Sequence, residues 1–313
     1  MGALAEQQPV LVIVEDLHWV DPSTLELLAL LIDQVPTARI FVVLTCRPAL
    51  QLPWGFRTHL TPIILTRLTP PQAEEMVGQM LGGQRLPTVV LEHIVAKTDG
   101  IPLFVEEVTK AVLEAGRGTV LQAQDAATGL YPALAIPATL HEALQARLDR
   151  LGSAKGVAQL GATLGSQFAY ALLRAVAPLE DGPLQHNLAT LVAAELLYQR
   201  GQPPRAVYTF KHALVQDAAY ESVLQRVRRD THQRIVQVLE AQFPEMVATA
   251  PALLAYHALR GERWDKAVAY FWQAGEKALT HSAHREAVAA FEQALVHSQV
   301  HFVAYDFCRS SQI

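Results

Sequence analysis

Two unbroken apolar runs, Val10 to Val14 and Ile40 to Thr45, are rich in β-branched residues, as parallel strands buried on both faces should be. Between them, Pro22 to Gln34 has a helical pattern opened by Asp21-Pro22-Ser23-Thr24, a capping residue followed by proline at the first helical position. Strand, helix and strand predict one βαβ unit. A third short strand is expected at Pro62 to Leu65, then an amphipathic helix from Pro70-Pro71 to Gly82-Gly83 and helices near Pro87 to Lys97 and Pro102 to Ala115. Gly116, Gly118, Gly129 and Pro132 mark a linker. From Ile136 the period is helical, with segments near Ala138 to Arg150, Lys155 to Leu164, Ala169 to Val176 and Leu184 to Ala194. Leu196 to Gln199 and Ala206 to Phe210 flank the turn-forming Arg200-Gly201-Gln202-Pro203-Pro204-Arg205, which predicts a hairpin. Helices followed by a hairpin suggest a winged-helix domain. In the last quarter, Phe271, Ala274, Gly275 and Ala278, then Ala287, Phe291 and Ala294, place small residues at helix crossings and aromatics in the gaps, a tetratricopeptide-like pattern. From residue 298 the period is lost.

The chemistry concentrates where the first strand ends. Glu15-Asp16 follow five apolar residues, and in a parallel sheet ligands sit outside the carboxyl ends of the strands. Two acids there can hold Mg²⁺ through water and polarise a water attacking the terminal phosphate of a nucleotide. That is a Walker B pattern. The same residues also suit a buried strand running into a capped helix, with acids that only complement the helix dipole. Arg47, after the second strand, suits phosphate oxygens or a salt bridge to Asp16. Gly100 and Pro102 suit a helix stop and a helix start.

The string Glu15-Asp16-Leu17-His18-Trp19-Val20-Asp21-Pro22-Ser23 closely resembles a segment of the STAND-class signalling ATPases, which are related to AAA and Orc-type domains and include LuxR-type regulators and cyclase-linked ATPases. Three further pieces match in order: Val42-Val43-Leu44-Thr45-Cys46-Arg47-Pro48 resembles the sensor-arginine strand, Gly100-Ile101-Pro102-Leu103 the Gly-x-Pro motif, and Phe210 to Tyr220 a segment of the helical arm. The resemblance covers roughly residues 9 to 297, by ordered motifs. It implies an incomplete P-loop NTPase parallel sheet with a helical lid (1–118), a linker (119–135), a winged-helix-like domain (136–243), TPR-like repeats (244–297) and an irregular tail (298–313). It implies Asp16 as the residue that orients or deprotonates the attacking water, and Glu15 in the place of the metal-associated aspartate. It further implies Arg47 as the sensor of the terminal phosphate, Gly100 and Pro102 shaping the lid against adenine, and ATP with Mg²⁺ as cofactors of the parent protein. Glu15 is one methylene longer than the usual aspartate. His18, Trp19 and His212 are expected to pack rather than to catalyse.

The phosphate-cradling Gly-x-x-x-x-Gly-Lys-Ser/Thr string occurs nowhere in the 313 residues, and only nine residues precede Val10. The expectation is therefore the carboxyl part of an ATPase that binds ATP poorly alone, with a gap in its sheet and unpaired strand edges. The 51% hydrophobic and 18% charged content suggests extensive helix–helix burial or a missing partner surface, and a net charge of −5 gives no case for nucleic acid or anionic membrane. Arg200 and Arg205 lack the concentrated basic surroundings that DNA binding requires. Cys46 is expected to be a buried thiol and, with Cys308, forms no disulfide framework. No apolar stretch is long enough to span a bilayer and no signal peptide is present, so a cytoplasmic location is expected. Two functions stay open: a piece of an ATP-dependent switch, with protein partners recruited through the repeats and ATP-driven self-association as its expected contacts, or a non-enzymatic helical scaffold.

Overall fold

Asp21 starts the helix of the βαβ unit as its sequence demands, its Oδ1 accepting from Thr24 N at 2.8 Å with Pro22 as the first helical residue. In the computed structural model, which describes residues 2–55, 57–83, 86–118 and 137–310, α1 is Gly2–Gln7, β1 Val10–Val14, α2 Pro22–Gln34 and β2 Ile40–Leu44. The strands pair in parallel from Val10↔Ile40 to Val14↔Leu44. Leu28, Leu31 and Ile32 of α2 form a buried core with Leu17, Ile40 and Trp54, and Val10, Val12, Val14 and Val42 pack on it.

The other sheet face corrects the expectation of strands buried on both sides. Leu11 is 60% exposed and Phe41 68%, with Ile13 and Val43 beside them in sequence alternation. Successive strand residues point to opposite faces, and among the described residues only one face is covered. The expected third strand is also absent: residues 62–65 form no ladder, and Ile63, Ile64 and Leu65 are exposed. An apolar run becomes a strand only where a neighbouring edge supplies its hydrogen bonds.

The chain divides into two compact units, Met1–Ile64 with Gln242–Ile313, and Leu65–Ala241; this division falls inside the 1–118 segment outlined from sequence. The second unit begins with α3 Pro70–Met80, α4 Thr88–Thr98 and α5 Pro102–Gly118. Thr69 and Gln72 close a reciprocal capping box at α3, and Val77, Ile94, Val105 and Val108 are wholly buried between the three helices. The linker at 119–135 lies outside the described residues. Next come α6 Leu140–Arg150, α7 Ser153–Leu164, β3 Gln167–Ala169, α8 Tyr170–Val176, α9 Asp181–Ala193, β4 Leu197–Arg200, β5 Val207–Phe210, α10 Ala213–Glu221 and α11 Gln225–Gln242. The hairpin β4–β5 forms as its turn residues predict, and β3 joins it to give an antiparallel sheet of order β3-β5-β4.

A buried ion pair joins α5 to α6: Arg147 Nη1 donates to both Glu107 oxygens at 2.6 and 2.7 Å. Its other terminal nitrogen donates to the Ala194 carbonyl. Around it, Lys110 Nζ donates to Glu106 at 2.7 Å and to Glu195 at 2.5 Å, while Lys211 Nζ lies 3.4 Å from Glu106.

The remainder of the first unit is helical: α12 Pro244–Thr249, α13 Pro251–Arg260, α14 Trp264–Thr280 and α15 His284–Ser310. The α13–α14 and α14–α15 turns share one geometry. Glu262 and Ser282 both take the left-handed conformation, at φ 55° and 58°, and Arg263 N→Ala258 O (2.8 Å) matches Ala283 N→Ala278 O (2.9 Å). At the α14–α15 crossing, a Cβ on Gly275 would lie 2.5 Å from the Phe291 ring. The stretch expected to be irregular from 298 is helical to Ser310; backbone hydrogen bonding within a helix does not need an amphipathic period. The architecture is thus a small α/β segment followed by a mostly helical chain, and among the described residues no helix is long and apolar enough to cross a membrane.

Candidate functional site: an acidic turn held by Thr45

The parallel ladder extends past the ends of β1 and β2. Thr45 N donates to Val14 O at 3.0 Å, Leu17 N donates to Thr45 O at 2.9 Å, and Asp16 N donates to Thr45 Oγ1 at 2.9 Å. These bonds hold Asp16 at φ 55° and ψ 49°, a left-handed conformation that aspartate tolerates better than most residues. A short 3-10 turn, Leu17–Trp19, then leads to Asp21 and α2.

Glu15 and Asp16 therefore emerge, both exposed, beside Thr45-Cys46-Arg47 at the carboxyl ends of adjacent parallel strands. Arg47 is exposed and forms no ion pair with Asp16. The group near Asp16 is His18, with Nε2 4.0 Å from Oδ1. His18 Nδ1 is buried without a protein hydrogen-bond partner, and its ring lies 5.3 Å from that of Trp19. Trp19 itself is exposed, which corrects its assignment as a packing residue. Cys46 is exposed as well, not the buried thiol expected, because it lies two residues past Leu44, the last residue of β2, and outside the ladder.

Mg²⁺ is usually held by one or two carboxylates, several waters and substrate phosphate oxygens. Glu15 and Asp16 fit the carboxylate share of such a set. Among the described residues no group of three or more His, Cys, Asp or Glu side chains is placed to hold a metal unaided.

Asp21 completes the turn. Burial pushes its carboxyl up, but the hydrogen bonds from the Thr24 hydroxyl and amide, joined by one with the Glu286 side chain, outweigh this and hold it below the ordinary value.

No protein-family model matches the chain. An uncharacterized protein of Rhizobium meliloti (strain 1021) is 28% identical over 300 residues, which is 94% of this chain. The chain spans 28% of that protein's length.

Gly100 and Pro102 belong to the second unit. Asp99 at φ 49° and Gly100 at φ 65° end α4, and Pro102 opens α5. Gly100 O accepts from Leu68 N at 2.8 Å, so both residues serve as helix stop and start, whatever else they contact. His212 precedes α10, with Nε2 buried and without a protein partner.

Thr45 has no role in the motif that the sequence suggests. The signal for it is a hydroxyl residue following one strand, opposite an acid following its parallel neighbour. The buried Glu107–Arg147 pair left no comparable trace, because each lies among other charged residues on its helix.

Proposed function

We propose that this chain contributes the acid and arginine side of a STAND-class, Orc/AAA-related ATPase switch, and that the longer protein hydrolyses ATP and couples its nucleotide state to partner recruitment. The observation that carries the reading is the emergence of Glu15, Asp16 and Arg47 from the carboxyl ends of two adjacent parallel strands, with Asp16 held by Thr45. Bound Mg-ATP would supply the reactive phosphoanhydride and the metal charge. With it bound, Asp16 would orient or deprotonate the attacking water, Glu15 would hold water on the metal, and Arg47 would stabilise charge on the terminal phosphate. No phosphate-loop string lies in these 313 residues, so ATP competence is assigned to a longer polypeptide.

The rest of the chain fits a switch arm. The succession α7-β3-α8-α9-β4-β5 with sheet order β3-β5-β4 supports a winged-helix reading. Its α9 carries no lysine or arginine, so nucleic acid is not proposed as a partner. The repeated turn of α13–α15 and the Gly275–Phe291 crossing support TPR-like repeats as the protein-binding and self-association surface. Differential affinity of two conformations for nucleotide then shifts the arm. A second reading, a non-enzymatic helical scaffold, is favoured by the missing phosphate-loop string.

Calorimetry of Mg-ATP with this chain, and with the same chain extended upstream in its reading frame, separates the two. Binding by the extended form alone is expected, with Asp16→Asn sparing binding and lowering hydrolysis by roughly 10²–10⁴-fold. Tight binding by the 313-residue chain would overturn the assignment of the phosphate site, and silence from both forms would leave the scaffold.

A further inference from the structure

The first turn of α2 has an amide that its own cap does not reach. Pro22 has no N–H, and Thr24 N donates to Asp21. Ser23 N and Ser23 Oγ donate instead to the two oxygens of Glu286, at 2.8 and 2.7 Å, across 263 residues of sequence. Glu286 stands in the first turn of α15, so one carboxylate complements the positive ends of two helices. Both of its oxygens are engaged in a partly buried setting, and the next residue, Ala287, is 1% exposed. The neighbouring Arg285–Glu26 pair, at 3.3 Å, is exposed on both sides and contributes little.

The turn that Glu286 closes is continuous with the acidic one: Asp21 caps α2, and the 3-10 turn Leu17–Trp19 connects it to Asp16. We infer that Glu286 is a latch that holds the α14–α15 hairpin on the start of α2, so that releasing the hairpin and loosening the Asp16–Asp21 turn are one event. The inference stands on this contact and holds whether or not the acidic turn meets a nucleotide.

Hydrogen-exchange mass spectrometry on the 313-residue chain tests it, with Glu286→Ala, which removes both acceptor oxygens, Ser23→Ala, their double variant and Arg285→Gln. A hydrogen bond to a charged group of ordinary strength gives roughly tenfold faster exchange on removal. That acceleration is expected in both 17–28 and 284–297 for the Glu286 variant and, to a smaller extent, for Ser23→Ala, which keeps the Ser23 N–H bond, with 65–241 unchanged and the double variant no faster than the Glu286 variant alone. Acceleration confined to one of the two regions would overturn the latch, as would additive effects in the double variant or an equal response to Arg285→Gln.

Discussion

Gly100 has a backbone reason to be glycine that is independent of any ligand. It sits at φ 65°, and a Cβ there would lie 2.1 Å from the Leu68 carbonyl oxygen. Gly100→Ala therefore meets both left-handed strain and a backbone clash that a rotamer change cannot relieve. The expected loss is at least about 1–2 kcal/mol, read as a lower urea midpoint with an unchanged slope; an unshifted midpoint would remove this structural role. A glycine after a helical run is legible from sequence as a stop, and so it proves. The clash is not legible, because Leu68 approaches only through the fold. Asp16 was likewise legible as an acid after a strand, whereas its left-handed backbone and its bond to Thr45 depend on the register of β1 against β2.

At the level of elements, periodicity located most helices because an amphipathic stripe records which face is buried. It misses at Ile63-Ile64-Leu65, where hydrophobicity is plain but the run pairs with neither β1 nor β2, and it does not foresee that Leu11 and Phe41 face outward. The α14–α15 crossing shows the same pattern resolved into geometry. Gly275 lies directly against the Phe291 ring, so small and aromatic residues read from spacing do meet. Replacing Gly275 by Ala improves helix propensity by roughly 0.5–1 kcal/mol, but it drives a methyl into the ring, and overpacking of this kind costs about 1–3 kcal/mol. Net destabilisation is expected, with partial rescue by Phe291→Leu in a thermal double-mutant cycle. Additive effects of the two substitutions would mean that the residues do not share this contact.

Across the whole molecule, the groups whose protonation shifts on folding make acid the destabilising direction in both units. Asp21 is held below 3.8 because the Thr24 hydrogen bonds outweigh burial. In the second unit, burial pushes Glu106 up, yet the Lys110 hydrogen bond and the nearby lysine charges hold it below 4.5, and the Lys110 hydrogen bond does the same for Glu195. Burial opposes Lys110, but its bonds to Glu106 and Glu195 raise it above 10.5. His212 is lowered below 6.5, by burial first and then by Lys211. For the carboxylates, stabilisation is present above the unfolded values and is lost as pH falls through the folded ones; for Lys110 it is present below 10.5 and is lost as pH rises through its folded value. His212 adds to the acid side, since below 6.5 the unfolded chain takes up a proton that the folded chain resists. The urea midpoint is therefore expected to be highest between about pH 7 and pH 10, and to fall on acidification in two stages, from near pH 6.5 and again below about pH 4.5. His212→Asn should diminish the first stage and leave the second, while Glu195→Gln should weaken the second alone. A midpoint constant from pH 7 to pH 3 would mean that the Lys110–Glu106–Glu195 cluster and half-buried His212 contribute no net stability.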